Sequence, residues 1–500
     1  MSHLIIAPIL LPLLTAIVLI LLSGRRALIR SLSLLSATAS LVICVYLMLI
    51  ANDGQIRLYA PGNWLPPFGI LLVLDHFSAL MLLLTSVLAF FSLAYAVRGN
   101  DAPGDKLHAM IHFLLVGVNG AFLTGDLFNL FVFFEILLIA SYGLLLHGRG
   151  AERARAGLHY VVVNLVGSAL FLIAVSALYG VTGTLNMADL SDKVSRLDQA
   201  DAPLAATAGV LLLVVFGLKA AIAPLYFWLP RAYAAASAPV AAMFAIMTKV
   251  GVYAIVRVFT QIFGDNAGNL ANFVWDWLWA LALVTLVLGL LGVLAARELR
   301  VQIAYLVIVS VGTLLAGIAI NTEDALAASF YYLIHSTLIC GGLFLLADVI
   351  LRQRGELLDH ITQGPRLRQS ALLGSLFFFA AMVVIGVPPL SGFIGKLLLL
   401  NAAGVEAEVA VFWVIVLGGS AITLMALSRS GSTFFWRTEE RIEPAAAADK
   451  GALAAVIGML TCILLLTIAA DPVLEYTHVI ARQLQAPEFY LQAMQGFRTE

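Results

Sequence analysis

The sequence contains few charged residues. Asp, Glu, Lys and Arg make up 11% of its 500 residues, whereas a soluble domain has about 25%. Hydrophobic residues make up 62%, and the mean hydropathy is +1.01. A surface so poor in charge cannot keep a chain of this length in aqueous solution. The composition therefore excludes soluble, disordered and collagen-like proteins, and it predicts a protein that lies mostly in a lipid bilayer.

Cysteine is also scarce. The three cysteines, Cys44, Cys340 and Cys462, fall in separate apolar stretches and form no C-x-x-C pair. A zinc site, an iron–sulfur cluster and a disulfide framework therefore lack ligands. The sequence has neither a G-x-x-x-x-G-K-[ST] loop nor a G-x-G-x-x-G turn, so we expect no ATP, no dinucleotide and no other cofactor. The net charge of −1 leaves no basic surface for nucleic acid.

Long apolar runs dominate the chain. A membrane-spanning helix needs about 20 mostly apolar residues, and fourteen runs meet that need. They cover 4–23, 29–50, 70–97, 107–124, 128–147, 158–182, 204–228, 238–263, 273–295, 301–320, 325–350, 370–400, 409–428 and 451–470. No basic segment precedes the first run, which indicates an uncleaved helix and not a signal peptide. The pattern predicts an all-α polytopic membrane protein.

Two of these runs contain proline and are predicted to be broken helices. Pro224 lies in the seventh run, and Pro388-Pro389 lie in the twelfth. Each broken run also carries a lysine, and the breaks are five runs apart, which predicts two repeats with inverted membrane topology. We therefore divide the chain into three N-terminal helices (1–106), a first repeat (107–263), a second repeat (273–430), and a last helix with an amphipathic outer tail (431–500).

The loops predict the orientation. Loops after odd-numbered runs hold most of the loop Lys and Arg residues, whereas loops after even-numbered runs hold only Arg57, Lys193 and Arg196. The positive-inside rule then places the odd loops in the cytoplasm and both termini on the outer side of a bacterial inner membrane.

Ionisable residues inside the runs are the main functional signal. Glu135, Lys219, Lys249 and Lys396 lie well within apolar segments. One charge at the centre of a spanning helix costs roughly 2.5–3.5 kcal/mol, so these groups persist only when they are paired or hydrated. Lysine suits proton transfer because its pKa moves readily once the side chain leaves water. Paired and hydrated titratable groups inside a membrane predict a proton path.

Structural roles remain open for several of these groups. The glutamate can bond to a neighbouring helix, and Lys219 can solvate a helix kink. Structural roles are open for Lys249 and Lys396 as well. His335 fits a structural hydrogen bond as well as a proton relay. Arg257 stays protonated and is therefore interpreted as a fixed charge or an anchor at the membrane interface. Asp75 and Asp348 are interpreted as partners of buried cations, and Asp126 as a helix N-cap.

The longest informative motif is FGLKAAIAPLYFWLPRAYAAASAPVAAMFAIMTKVGVYAIVR. It resembles the signature of the antiporter-like subunits shared by respiratory complex I, membrane-bound hydrogenases and the Mrp (Mnh/Pha) cation/proton antiporters. The resemblance extends over nearly the whole chain. The length and the segment LTGDLFNLFVFFEILLIASYGLL are most similar to the D-type subunits of the Mrp antiporters.

The resemblance implies roles for five residues. Glu135 matches a fifth-helix glutamate that pairs with a seventh-helix lysine, here Lys219. Lys249 matches an eighth-helix lysine that bridges two half-channels. His335 matches a histidine of the central polar axis, and Lys396 matches a lysine on the output side.

This sequence departs from the family at one point. Relatives often carry a further lysine four or five residues after the histidine, but Ile339 and Cys340 occupy those positions here. The link from Lys249 to Lys396 is therefore expected to depend on His335 and water.

The implied function is proton translocation, without covalent chemistry, in a hetero-oligomeric Na+(K+)/H+ antiporter. Two alternatives remain open: a proton-pumping membrane subunit of a complex I-like or hydrogenase complex, and a non-conducting scaffold subunit.

Overall fold

The computed structural model describes residues 2–64, 66–104, 106–148, 150–405, 410–439 and 446–499. Helices account for most of these residues. They are α1 (Ala7–Leu21), α2 (Arg26–Ala51), α3 (His76–Ala96), α4 (Leu107–Leu123), α5 (Leu127–Leu146), α6 (Ala151–Thr182), α7 (Met187–Ser195), α8 (Ala202–Ala220), α9 (Leu229–Ala235), α10 (Ala238–Gln261), α11 (Trp275–Ala295), α12 (Leu299–Ala319), α13 (Glu323–Arg354), α14 (Ser370–Ile385), α15 (Ser391–Ala403), α16 (Ala410–Phe435), α17 (Lys450–Ile468), α18 (Ala470–Leu484) and α19 (Glu488–Thr499).

Four short strands form two small pairs near the ends of the helices. Strands β1 (Arg57–Tyr59) and β2 (Leu72–Leu74) are antiparallel, with Leu58 opposite Val73. Strands β3 (Gly364–Pro365) and β4 (Thr438–Glu439) are parallel.

The predicted spans coincide with helices. Within the described ranges, twelve helical segments are long and apolar enough to cross a membrane. The fourth predicted run forms the shorter apolar helix α4, and the twelfth is divided between α14 and α15. The predicted all-α, multi-pass membrane fold is confirmed.

One predicted helix start is wrong. The apolar pattern predicts a span from residue 70, but residues 72–74 form β2 and α3 begins at His76. Asp75 ends the strand and caps the helix: its carboxylate accepts the backbone N–H of Ser78 at 2.8 Å, and the Ser78 hydroxyl accepts the N–H of Asp75 at 2.9 Å. Such a capping box satisfies two of the donors that a helix start leaves free. Asp75 therefore lies before the span and not inside it.

Helices α10 and α13 form the centre of the bundle. Every residue of α10 is buried, as are nearly all residues of α13. Helix α10 packs against α3, α8 and α13, whereas α13 also packs against α12, α15 and α17. Helices α2 and α16 instead expose leucines such as Leu35, Leu49 and Leu417, which suit contact with lipid. The central position of α10 and α13 keeps Lys249 and His335 away from lipid.

The seventh predicted run is broken, as expected. Ala221 has a φ of +64°, and Pro224, which lacks a backbone N–H, prevents the helix from continuing. The indole N–H of Trp228 donates to the carbonyl of Leu218 at 3.2 Å, which satisfies one of the groups that the break sets free. Lys219 therefore does not have to solvate that carbonyl.

The twelfth predicted run is broken at the corresponding place. Helix α14 ends at Ile385, and Gly386 has a φ of +89°, a conformation that side chains with a Cβ rarely adopt. The Pro388-Pro389 pair follows, and α15 begins at Ser391.

Candidate functional site: a line of buried polar groups

The first part of the site lies between α5, α6 and α8. The hydroxyl of Ser168 donates to a carboxylate oxygen of Glu135. One turn earlier on α6, the side-chain oxygen of Asn164 accepts the ammonium of Lys219 at 3.0 Å. Lys219 is 6% exposed, so Asn164 replaces part of the hydration that this ammonium loses.

Glu135 and Lys219, the expected pair, have separate hydrogen-bond partners on α6. Among the described residues, no ion pair joins them; Ser168 of α6 binds Glu135, and Asn164 of the same helix binds Lys219. Gly167 lets α8 approach α6 here, because a Cβ at this position would lie 2.6 Å from a methyl carbon of Leu218 and 3.8 Å from the Lys219 nitrogen. The Ser168 hydroxyl also donates to the backbone carbonyl of Asn164 at 3.0 Å, so the partners of the two charges lie on adjacent turns of α6.

Lys249 occupies the centre of α10. Its side chain is completely buried, and its ammonium donates to the hydroxyl of Ser310 on α12 at 3.0 Å. Helix α10 also touches the end of α8, since a Cβ on Gly251 would lie 2.4 Å from the backbone nitrogen of Ala220. This close approach brings the backbone that carries Lys219 against the backbone that carries Lys249.

A cavity begins at the partner of Lys249 and reaches Lys396. Its volume is about 30 Å³, which is enough for about two water molecules. Its lining includes Ser310, His335, Cys340, Lys396 and Ser420. These side chains supply several hydrogen-bonding groups, so the cavity meets the polarity that a buried water requires.

Lys396 closes the far end of this cavity. Its ammonium donates to the carbonyls of Val384 and Ile385 at 3.1 and 2.9 Å and to the hydroxyl of Ser420 at 3.0 Å. The two carbonyls belong to the last turn of α14, where the helix dipole favours a positive charge. The same contacts fit the structural alternative, because they solvate the break in the helix.

His335 connects the cavity to the start of α15. One ring nitrogen of His335 lies 2.9 Å from the hydroxyl of Ser391. Gly392 permits this arrangement, because a Cβ there would lie 1.9 Å from the carbonyl oxygen of Val383 and 2.9 Å from a carbon of the His335 ring. His335 and Lys396 thus face the same cavity from two different helices.

Five polar residues of the site are not among the residues predicted from the sequence. They supply the partners of the predicted charges: Asn164, Ser168, Ser310, Ser391 and Ser420. Each is a polar side chain within or beside an apolar run, and the four-residue spacing of Asn164 and Ser168 puts them on one helix face. That spacing is the one signal in the sequence that points to them.

Arg257 is a fixed charge, and it lies outside this line. It forms a bidentate ion pair with Asp75, with N–O distances of 2.6 and 3.0 Å. Tyr490 of α19 accepts from Arg257 at 2.8 Å and donates to Asp75 at 2.5 Å, while Tyr253 accepts from the same guanidinium. This cluster fastens the C-terminal segment to the bundle.

The remaining predicted acids have structural partners. The carboxylate of Asp126 accepts the backbone N–H of Asn129 at 2.8 Å and caps α5, as predicted. Asp348 accepts from Tyr95 and from Arg352, each at 2.7 Å. Among the described residues, no group of three or more His, Cys, Asp or Glu side chains is arranged to hold a metal ion.

Comparisons with known proteins match nearly the whole chain. The family described as "NADH:quinone oxidoreductase/Mrp antiporter, TM" matches residues 124–423. A probable K(+)/H(+) antiporter subunit of the D type from Rhizobium meliloti is 41% identical, over 97% of this chain and 96% of that protein. The corresponding Na(+)/H(+) antiporter subunit of Bacillus subtilis is 40% identical, over 99% of each. A chain in the structure of the Mrp complex from Dietzia sp. DQ12-45-1b is 28% identical, with a TM-score of 0.90 over 99% of this chain and all of that chain.

Proposed function

The chain belongs to the NADH:quinone oxidoreductase/Mrp antiporter family, and from that premise we propose that Glu135, Lys219, Lys249, His335 and Lys396 carry protons through it. The chain is a subunit of a multi-subunit Na+/H+ or K+/H+ antiporter, and hence part of a secondary transporter and not an enzyme. Other antiporter subunits are its partners.

The observation that carries the proposal is the cavity between Lys249 and Lys396. Lys249 donates to Ser310, and Ser310, His335 and Lys396 all line that cavity. Water in the cavity would complete a hydrogen-bonded path from Ser310 to Lys396. Lys249 and Lys396 can each release a proton to this path and take one up again. The path does not need a lysine at residue 339 or 340, because Ile339 and Cys340 line the same cavity.

The other half of the proposed path begins at Glu135. A proton on its carboxyl group can exchange through the Ser168 hydroxyl and water with Lys219, whose ammonium Asn164 holds in place. Helix α8 touches α10 beside Lys219, so the helices that carry Lys219 and Lys249 are in contact, and water would bridge the two ammonium groups. The two halves then meet at Lys249 in the centre of the bundle.

The proposed path follows the proposed repeats. Residues 107–263 and 273–430 each supply five spans, and the fourth span of each set is the broken one. Both termini are proposed to lie outside the bacterial inner membrane, with the arginine-rich loops in the cytoplasm. The transported ions are proposed to be protons and Na+ or K+.

A transport assay tests the function. The complete complex is reconstituted into liposomes that enclose a pH-sensitive dye, without NADH, hydrogen or quinone. We expect Na+ or K+ to drive proton movement, whereas choline, added at the same concentration, should not. Proton movement that needs a reductant and ignores the cations would favour the redox-driven alternative and contradict the proposal.

A further inference from the structure

A second, larger open cavity lies where α11 and α16 end, and it shares no lining residue with the cavity of the proton path. Its volume is about 520 Å³. Residues 294–297 line it from the end of α11, residues 360–362 from the loop after α13, and Arg429, Thr433 and Arg437 from the end of α16. A cavity of this size can hold a polar headgroup, because ligand pockets measure about 300–1,000 Å³.

Positive charge dominates this cavity. Arg297, Arg429 and Arg437 all line it and are exposed. Arg429 donates to the carbonyls of Leu294 and Ala296, whereas the guanidinium groups of Arg297 and Arg437 have no partner among the described residues. Like charges that share one cavity repel each other unless an anion lies between them.

Two acidic side chains beside the cavity are already engaged, and a third, Glu439, is exposed and forms no ion pair within the described part of the chain. Glu298 lies 3.7 Å from the ring of His360, which itself lines the cavity. Asp359 is buried and binds Arg300 through two side-chain contacts of 3.0 and 3.1 Å. Neither carboxylate is paired with the three arginines, so the positive charge of the cavity remains available to a ligand.

The surface next to the cavity is apolar. Leu291 and Leu294 of α11 and Leu424 and Met425 of α16 are exposed within two turns of the arginines. Trp436 is exposed beside Arg437, and tryptophan is enriched where a helix leaves the hydrocarbon region. An occupant that combines a negative headgroup with hydrocarbon chains matches both parts of this surface.

We propose that this cavity binds the headgroup of an anionic phospholipid, with the phosphate between Arg297, Arg429 and Arg437 and the acyl chains along α11 and α16. Basic pockets between the ends of membrane helices are suited to such headgroups. Arginine also binds phosphate through two parallel hydrogen bonds. In a zwitterionic lipid the headgroup's own positive charge lies beside the phosphate and would weaken its binding to the arginines. This site is independent of the proton path.

The test uses the intact purified complex and native mass spectrometry. Phosphatidylglycerol and phosphatidylcholine with the same acyl chains are added in turn, and the retained lipid is counted. The double variant Arg297→Gln/Arg437→Gln removes the two unpartnered guanidiniums but keeps Arg429 on the α11 carbonyls. The control variant Arg25→Gln/Arg155→Gln removes two exposed arginines elsewhere.

We expect wild type and the control to retain phosphatidylglycerol in preference to phosphatidylcholine. The double variant should bind it roughly thirtyfold more weakly, since each arginine contributes about fivefold. Thermal unfolding of the double variant should match the control. Equal retention of the two lipids, or normal retention by the double variant, would overturn the proposal. Displacement of the lipid by inorganic phosphate would also overturn it, because the site would then bind a soluble anion.

Discussion

Replacing Asn164 by alanine should destabilise the protein as long as Lys219 keeps its charge. The Asn164 oxygen accepts the Lys219 ammonium at 3.0 Å, and the lysine is 6% exposed, so bulk water cannot replace the lost acceptor. A hydrogen bond to a charged group contributes about 1.5–3 kcal/mol. Asn164→Ala should therefore lower the free energy of unfolding by about that amount, which is roughly a 10- to 150-fold change in the equilibrium constant.

The matched control removes the charge. In a Lys219→Met background the ammonium is gone, while the Asn164 amide still donates to the carbonyl of Tyr160 at 2.8 Å. The same alanine substitution should then cost about 1 kcal/mol or less, since a neutral hydrogen bond is lost. Equilibrium unfolding of the four proteins in detergent gives the coupling energy directly. An equal cost of Asn164→Ala in both backgrounds would refute the proposed contact.

Three further predictions concern transport and pH. Glu135→Gln keeps the shape of the side chain but cannot titrate, so the mutant complex should assemble and lose antiport in vesicles; normal antiport would contradict a role in proton transfer. Lys219→Ala and Lys396→Ala should both abolish antiport, and Lys396→Arg should fail as well, because a guanidinium does not release its proton; normal antiport by the arginine variant would identify a fixed charge. Burial alone would raise the pKa of Asp359, but hydrogen bonds and the charge of Arg300 lower that pKa below its usual range. The Asp359 carboxylate therefore stabilises the fold above about pH 4, and this stabilisation is lost as the pH falls. Asp359→Asn should therefore lower the unfolding free energy by about 1–3 kcal/mol at pH 7 and less near pH 3, and an equal deficit at both pH values would disprove the linkage.

The sequence predicts the spans well because hydrophobic length and proline report directly on helices in a bilayer. The breaks near Pro224 and Pro388 are examples, since a missing N–H interrupts a helix whatever surrounds it. The start of α3 is predicted less well, because the apolar residues of β2 look like the first turn of a span. A short apolar run alone does not distinguish a β-strand from the first turn of a membrane-spanning helix.

The partners of the buried charges could not be predicted in the same way. Lys219 and Lys249 stand out because charge is costly in a membrane, but their acceptors Asn164 and Ser310 are ordinary polar residues on other helices. Which helices meet, and at which rotation, depends on packing across the whole bundle. Glu135 and Lys219 accordingly bind Ser168 and Asn164 of α6 and not each other directly.

The most direct test of the proton path is the replacement of Lys249 by methionine. Lys249 is completely buried and is the point at which the two proposed halves meet, and methionine fills a similar space without exchanging protons. The control is Lys450→Met, which alters an exposed lysine at the start of α17. With assembled complexes in liposomes, Na+- or K+-driven proton movement should fall to the level of empty liposomes for Lys249→Met and remain normal for Lys450→Met. Normal proton movement by the Lys249→Met complex would contradict a path through the centre of this chain.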